Sequence, residues 1–274
     1  MRRSAGFTAA VCALLAWAAP AAPLARGDVY VALGSSYAAG PGIVPVVQGS
    51  PARCARSQLN YPHQLAQLRG LQLIDASCSG ATTAHLLGPW NELPPQLDAL
   101  TADARLVTVT IGGNDLAYMG SLMGASACAA AAPCNAVKQP TEQDYAALGQ
   151  RLARIAAEVH RRSPEAQLVF VDYFTVLPSQ GGCAAAPLQA ADASSLRAIA
   201  ARLAQLTATA AREGGALLLP LAALSTDHGV CAAQPWLNGF QRPPGDVPFA
   251  AYHPTSAGMA AAASALDALL PRQH

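Results

Sequence analysis

Lysine is almost missing from this sequence: Lys138 is the only one, and every other basic side chain apart from histidine is arginine. Charged residues are only 12% of the 274-residue chain, and 17 Lys+Arg against 16 Asp+Glu leave a formal charge of +1. That balance supplies no basic face for nucleic acid or anionic lipid. It also lacks the charge density of a disordered chain or the e/g charges of a coiled coil. No C-x-x-C or H-x-x-x-H pair occurs, so the usual zinc spacings are absent. No G-x-G-x-x-G is present, and no lysine stands where a phosphate-binding loop needs one. Beyond the N-terminal segment, no apolar run is long enough to cross a bilayer.

What is abundant is small and apolar. Hydrophobic residues reach 52%, much of it alanine, at a length suited to one well-buried domain or at most two small ones. The N-terminus carries Arg2 and Arg3, an apolar run over 7–17 and small residues through Ala22. This is the layout of a secretory signal peptide, expected over 1–25, with cleavage options near Ala21 or slightly later. A single domain over 26–274 follows. Of seven cysteines, Cys12 lies in that leader, leaving Cys54, Cys78, Cys128, Cys134, Cys183 and Cys231. An even set in an exported chain implies three disulfides, although six cysteines allow many pairings.

Short apolar runs over 28–33, 71–76, 106–111, 168–172 and 216–221 read as strands, buried on both faces as in a parallel sheet. Helical patterns fall at 61–68, 93–99, 141–162, 190–213 and 255–270. Thr141 with Asp144 marks a capped start; Ser163-Pro164 and Gly214-Gly215 mark stops. The alternation predicts a three-layer α/β/α sandwich around a central, mostly parallel five-stranded sheet. In such folds ligands lie beyond the carboxyl ends of the strands. There the sequence puts Gly34-Ser35-Ser36, then Ser77 to Gly80, then Gly112-Gly113-Asn114-Asp115, with His253 ahead of the last helix.

Those residues suit nucleophilic chemistry. A serine hydroxyl needs a base to become reactive at neutral pH, and His253 is the candidate. The Ser36 and Gly80 backbone N–H groups and the Asn114 amide are candidate donors to a developing oxyanion. Taken singly, Ser36 and Asn114 read as helix caps and Gly80 as a turn glycine. Taken together at the strand ends of one sheet, they read as a catalytic site. Trp90, Trp236 and Phe249 fit the walls of an acyl pocket or ordinary core packing equally well. His63, His85, His160, His228 and His274 have no metal-ligand spacing, His228 reads as structural, and Asp115 reads as a bond to the loop that positions Asn114.

The blocks VALGSSYAAG (31–40), DASCSGATT (75–83), TVTIGGND (108–115), VDYFTVLP (171–178), PWLNG (235–239) and YHPTSAGM (252–259) resemble the SGNH (GDSL-type) hydrolase family. The similarity is greatest to its secreted actinomycete lipase/esterase branch and spans nearly all of the expected mature chain. The resemblance implies a flavodoxin-like hydrolase fold with Ser36 as nucleophile, His253 as base, and Ser36, Gly80 and Asn114 as the oxyanion hole. It also implies sequential disulfides, 54–78, 128–134 and 183–231.

Two departures stand out. Ser35 occupies the family's usual Asp before the nucleophile, and Ala250 its usual Asp three residues before the histidine. With no carboxylate at 250, a backbone carbonyl of Ala250 or Ala251 is expected to orient His253; Asp246 and Asp227 are the nearest carboxylates for a displaced triad.

The reading is a secreted, monomeric serine esterase or lipase acting on lipid or other small acyl esters. It needs no metal or cofactor, binds no nucleic acid and keeps no membrane anchor. The rival readings are a polysaccharide O-acetyl esterase using the same site, and a non-catalytic glycan- or wall-binding relative.

Overall fold

The computed structural model describes residues 23–129 and 137–272. The expected signal peptide, Cys134 and His274 therefore lie wholly or largely outside the described residues. Five parallel strands form one sheet in the order β2-β1-β3-β4-β5. They are β1 (Val29–Gly34), β2 (Gln72–Asp75), β3 (Ala104–Thr110), β4 (Gln167–Val171) and β5 (Leu217–Leu219). Helices α2 (Tyr61–Arg69) and α8 (Ser256–Leu269) pack together, as do α5 (Glu142–Arg162) and α6 (Ala190–Glu213). These pairs form the two helical layers around the sheet, as the alternating pattern predicts.

The caps follow from local sequence. Thr141 and Asp144 close a capping box on α5, whose first turn is acidic and whose last turn holds His160, Arg161 and Arg162. Both ends therefore complement the helix dipole. Gly70 ends α2 in a left-handed conformation, and Gly214 caps α6.

Two expectations need correction. The central strands β1 and β3 are almost wholly buried, whereas β2 alternates exposed and half-buried residues, with Ile74 on the surface. An edge strand is not enclosed on both faces as a central one is, and this run is too short for apolar content alone to tell them apart. The helix expected over 93–99 is reduced to a single 3₁₀ turn, Gln96–Ala99. Pro94 and Pro95 lack the N–H groups a helix interior needs, and Trp90 and Leu93 pair across a turn ahead of them.

Sequence reading gave no bounds for α1 (Ser36–Ala39), although Ser36 reads as a helix cap, and it missed α3 (Thr83–Leu87), α4 (Tyr118–Ala129) and α7 (Leu221–Leu224). Of these, α1, α3 and α7 are too short to show a helical period. In α4 the residues are nearly all small or apolar, so no polar face marks the helix.

Candidate active site

Strand order decides what meets at the carboxyl edge. Because β1 lies between β2 and β3, the turn after β1, carrying Ser36, is flanked by those carrying Gly80 and Asn114. The first turn is possible because residue 34 is glycine. Its φ is +146°, and a Cβ there would collide with the Thr110 carbonyl oxygen of β3. The same carbonyl accepts from the Ser35 N–H at 2.9 Å, while the Gln96 amide pairs with both the N–H and C=O of Gly34.

Ser36 opens α1, and its Oγ lies 2.8 Å from His253 Nε2. His253 Nδ1 lies 2.8 Å from the Ala251 carbonyl oxygen. A carbonyl only accepts, so Nδ1 carries the proton and Nε2 is left to accept from the serine hydroxyl. Burial lowers the His253 pKa from its ordinary value, against a smaller upward pull from the Ala251 carbonyl. The ring is therefore neutral and basic at neutral pH.

Of the two carbonyls expected to orient the ring, Ala251 makes the contact and Ala250 does not. The Ala250 oxygen is taken up by Asn238 Nδ2 at 3.1 Å and by the His253 backbone N–H at 3.3 Å. Asn238 also donates its own N–H to the His253 carbonyl, so this one residue ties down both ends of the base's loop. Thr255 caps α8 two residues later. Asp246 is exposed in its loop, and Asp227 lies on the wall of a cavity beside α6, with no bond to His253.

The donors expected for an oxyanion sit in braced turns. Gly80 has φ +86°, and a Cβ on it would come within 3.2 Å of the Trp90 indole. The Cys54–Cys78 disulfide and the Ser79 hydroxyl bond to the Cys54 carbonyl, 2.8 Å long, hold the residues just before it. Neither the Ser36 nor the Gly80 N–H has an acceptor among the described residues. Asn114 Nδ2 donates one proton to the Ala81 carbonyl at 2.9 Å, leaving its second proton available. The buried Asp115 carboxylate accepts from the Thr83 N–H and hydroxyl and from Arg151, joining the Gly80 and Asn114 turns.

A second disulfide, Cys183–Cys231, links the loop after β4 to the loop after α7. Cys128 is disulfide-bonded; its expected partner, Cys134, lies outside the described residues.

Of the three aromatics considered as pocket walls, Trp90 helps line a cavity of about 360 Å³ beside the Gly80 turn. Trp236 stacks on His228, Trp90 lies between His85 and Arg53, and Arg242 covers Phe249. A cavity of about 470 Å³ lies between α6 and the loop after β4. Tyr118, Tyr173, Phe174, Leu177 and Leu203 help line it. Sequence reading missed this cavity because its walls come from segments far apart in the chain. Among the described residues, no cluster of His, Cys, Asp or Glu is arranged to hold a metal ion, and no helix is long and apolar enough to cross a membrane.

A five-stranded parallel sheet between helical layers is the fold of the SGNH hydrolases; in this chain a serine at the first strand–helix turn faces an imidazole. The chain belongs to the GDSL-like lipase/acylhydrolase family, which it matches over residues 32–261, and it is a carboxylic ester hydrolase. It is 36% identical to Lipase 2 of Streptomyces coelicolor over 238 residues, covering 80% of this chain and 77% of that one. It superposes on phospholipase A1 from Streptomyces albidoflavus with a TM-score of 0.72 at 25% identity, covering 89% of this chain and 99% of that chain. The extracellular lipase from Streptomyces rimosus gives a TM-score of 0.71 at 26% identity, covering 88% and 99%.

Proposed function

We propose that the protein is an exported lipase or esterase that works through a Ser36 acyl-enzyme. The 2.8 Å contact between Ser36 Oγ and a His253 ring fixed in the base-competent tautomer carries this reading. As Oγ attacks the ester carbonyl, Nε2 takes its proton. The carbonyl oxygen becomes an oxyanion held by the Ser36 and Gly80 N–H groups and the Asn114 amide. His253 then returns the proton to the departing alcohol as the C–O bond breaks. A water, deprotonated by the same nitrogen, attacks the acyl-enzyme to release the acid and restore Ser36.

The pair works as a dyad. The Ala251 carbonyl fixes the tautomer but carries no full charge to stabilise imidazolium, and burial of His253 acts in the same direction by keeping the resting ring neutral. The 470 Å³ cavity has mainly apolar walls and is bounded by Tyr173, whose hydroxyl reaches Ser35 beside the nucleophile. It is suited to the acyl chain of a lipid ester rather than to acetyl alone.

The N-terminal Arg2-Arg3 and apolar run act as the export signal, and an oxidising compartment suits the disulfides. The named lipase and phospholipase relatives support an acyl-ester substrate.

The test is hydrolysis of a p-nitrophenyl ester series by the wild type and by Ser36→Ala. Turnover of medium and long chains, lost by more than a thousandfold in the variant, is expected. Activity confined to acetyl esters would point to deacetylation, and a variant within tenfold of wild type would overturn Ser36 as nucleophile.

A further inference from the structure

The two residues flanking Ser36 each reach a different part of the proposed site through a tyrosine hydroxyl. On one side, Ser35 Oγ lies 3.0 Å from the Tyr173 hydroxyl, which accepts the Gly113 backbone N–H at 3.1 Å. Gly113 directly precedes Asn114. On the other side, the Tyr37 hydroxyl donates to the Tyr252 carbonyl at 2.6 Å. Tyr252 stands between Ala251, whose carbonyl holds the imidazole, and His253 itself. It has a left-handed φ of +60°, uncommon for a bulky residue and in need of outside support. All four side chains are buried, and the Tyr37 ring packs 4.6 Å from the Tyr173 ring and 5.4 Å from the His253 ring, centroid to centroid.

The hydrogen-bond chemistry is consistent. Burial pushes the Tyr173 hydroxyl up to about 12 and the Tyr37 hydroxyl well above its ordinary range, so both keep their protons. Having accepted from Gly113, Tyr173 retains its own proton for Ser35 Oγ. The departure from Asp at residue 35 therefore has a local explanation. A neutral hydroxyl meets a neutral phenol there, and no buried carboxylate has to be accommodated.

We propose that Tyr37 and Tyr173 are positioning residues that set Ser36 against the base and the oxyanion turn: Tyr37 holds the His253 loop through the Tyr252 carbonyl, and Tyr173 joins Ser35 to the Asn114 turn through the Gly113 N–H. The proposal rests on the Ser36–His253 reading. It extends it, because neither tyrosine hydroxyl bonds Ser36 Oγ or the His253 ring. A displacement of about 1 Å at such a site can cost on the order of 10² in rate, so single hydroxyls at these points carry kinetic weight.

The test compares Tyr37→Phe, Tyr173→Phe and, as a control, Tyr30→Phe. The Tyr30 hydroxyl is equally buried and bonds Thr108 at 2.8 Å, away from the site. Competent sites are counted by stoichiometric fluorophosphonate labelling, and kcat, KM and the pH profile are expressed per labelled site. Tyr37→Phe should lower kcat about 10- to 100-fold with KM held within threefold. Its acid limb should also move up toward 6.5 as the His253 loop loosens and the ring gains solvent. Tyr173→Phe should lower kcat by a similar factor with the acid limb unmoved. Tyr30→Phe should lose thermal stability only.

Wild-type Ser36 labelled, with both site variants within twofold of wild type per labelled site, would overturn the proposal alone. Equal losses in all three variants would do the same, because they would mark a general packing effect. A wild type that takes no label at Ser36 would overturn the dyad reading and this proposal with it.

Discussion

Asp115→Asn is the perturbation whose cost can be worked out most fully. The Asp115 side chain is 3% exposed, and one of its oxygens accepts from both the Thr83 hydroxyl and Arg151, the latter at 3.2 Å. Its other oxygen accepts the Thr83 N–H at 3.0 Å. An asparagine of the same shape offers one oxygen and one NH₂. Whichever way the amide faces, its NH₂ points at a donor, and the attraction to the guanidinium is lost. Hydrogen bonds to charged groups contribute about 1.5–3 kcal/mol each.

Removing one partner of a fully buried pair costs about 3–5 kcal/mol, but Arg151, at 37% exposure, can rehydrate. The expected loss is therefore roughly 2–3 kcal/mol, a fall in Tm of about 5–10 °C for a domain of this size. Because Thr83 follows the Gly80 turn and Asp115 follows Asn114, kcat should fall together with stability. Urea melts of Asp115→Asn, Arg151→Met and the double variant provide the assay. The single variants should couple by more than about 1 kcal/mol. Strict additivity would refute the Asp115–Arg151 pair, and an Asp115→Asn midpoint equal to the wild type would refute the bridge between the two turns.

Asn114→Ala removes one of the proposed oxyanion donors and should lower kcat by about 10²–10³ with KM nearly unchanged; a change in KM alone would make it a substrate-binding residue. Because burial lowers the His253 pKa and activity needs the neutral ring, the acid limb of kcat/KM should have its midpoint below 6.5. The same shift makes stability decline as pH falls from 6.5 toward that lower value, since only the unfolded chain takes up the proton there. A kcat/KM midpoint above 6.5 would contradict the buried, neutral base. Asp172 is the opposite case: burial pushes it up to about 7, although the Ala222 N–H donates to it at 2.9 Å. Between the ordinary Asp range and 7 only the unfolded chain gives up this proton, so the fold loses stability as pH rises toward 7 and the loss levels off above it; Asp172→Asn should gain more stability at pH 8 than at pH 5, and an equal change at both would refute this.

What the sequence revealed was periodic or confined to short blocks. The central strands and the capped helix α5 stand out because burial on both faces and an S/T-x-x-D/E start leave local signatures. Ser36, Gly80, Asn114 and His253 are readable as candidates because each follows a strand or precedes a helix in a short block. What joins them is not local. Tyr37 meets the Tyr252 carbonyl across 215 positions, and Ser35 meets Tyr173 across 138. No spacing rule connects such pairs. The choice between Ala250 and Ala251 was equally closed to sequence, because it depends on the left-handed turn at Tyr252 and on which carbonyl Asn238 has already engaged.

The central claim is that the acyl group passes through Ser36. Rapid acid quenching during turnover of a slow p-nitrophenyl ester, followed by peptide mass spectrometry, tests it most directly. The account predicts one acyl adduct, on Ser36, formed in step with the p-nitrophenol burst and absent from Ser36→Ala. An adduct on another residue, or rapid turnover by Ser36→Ala, would contradict it.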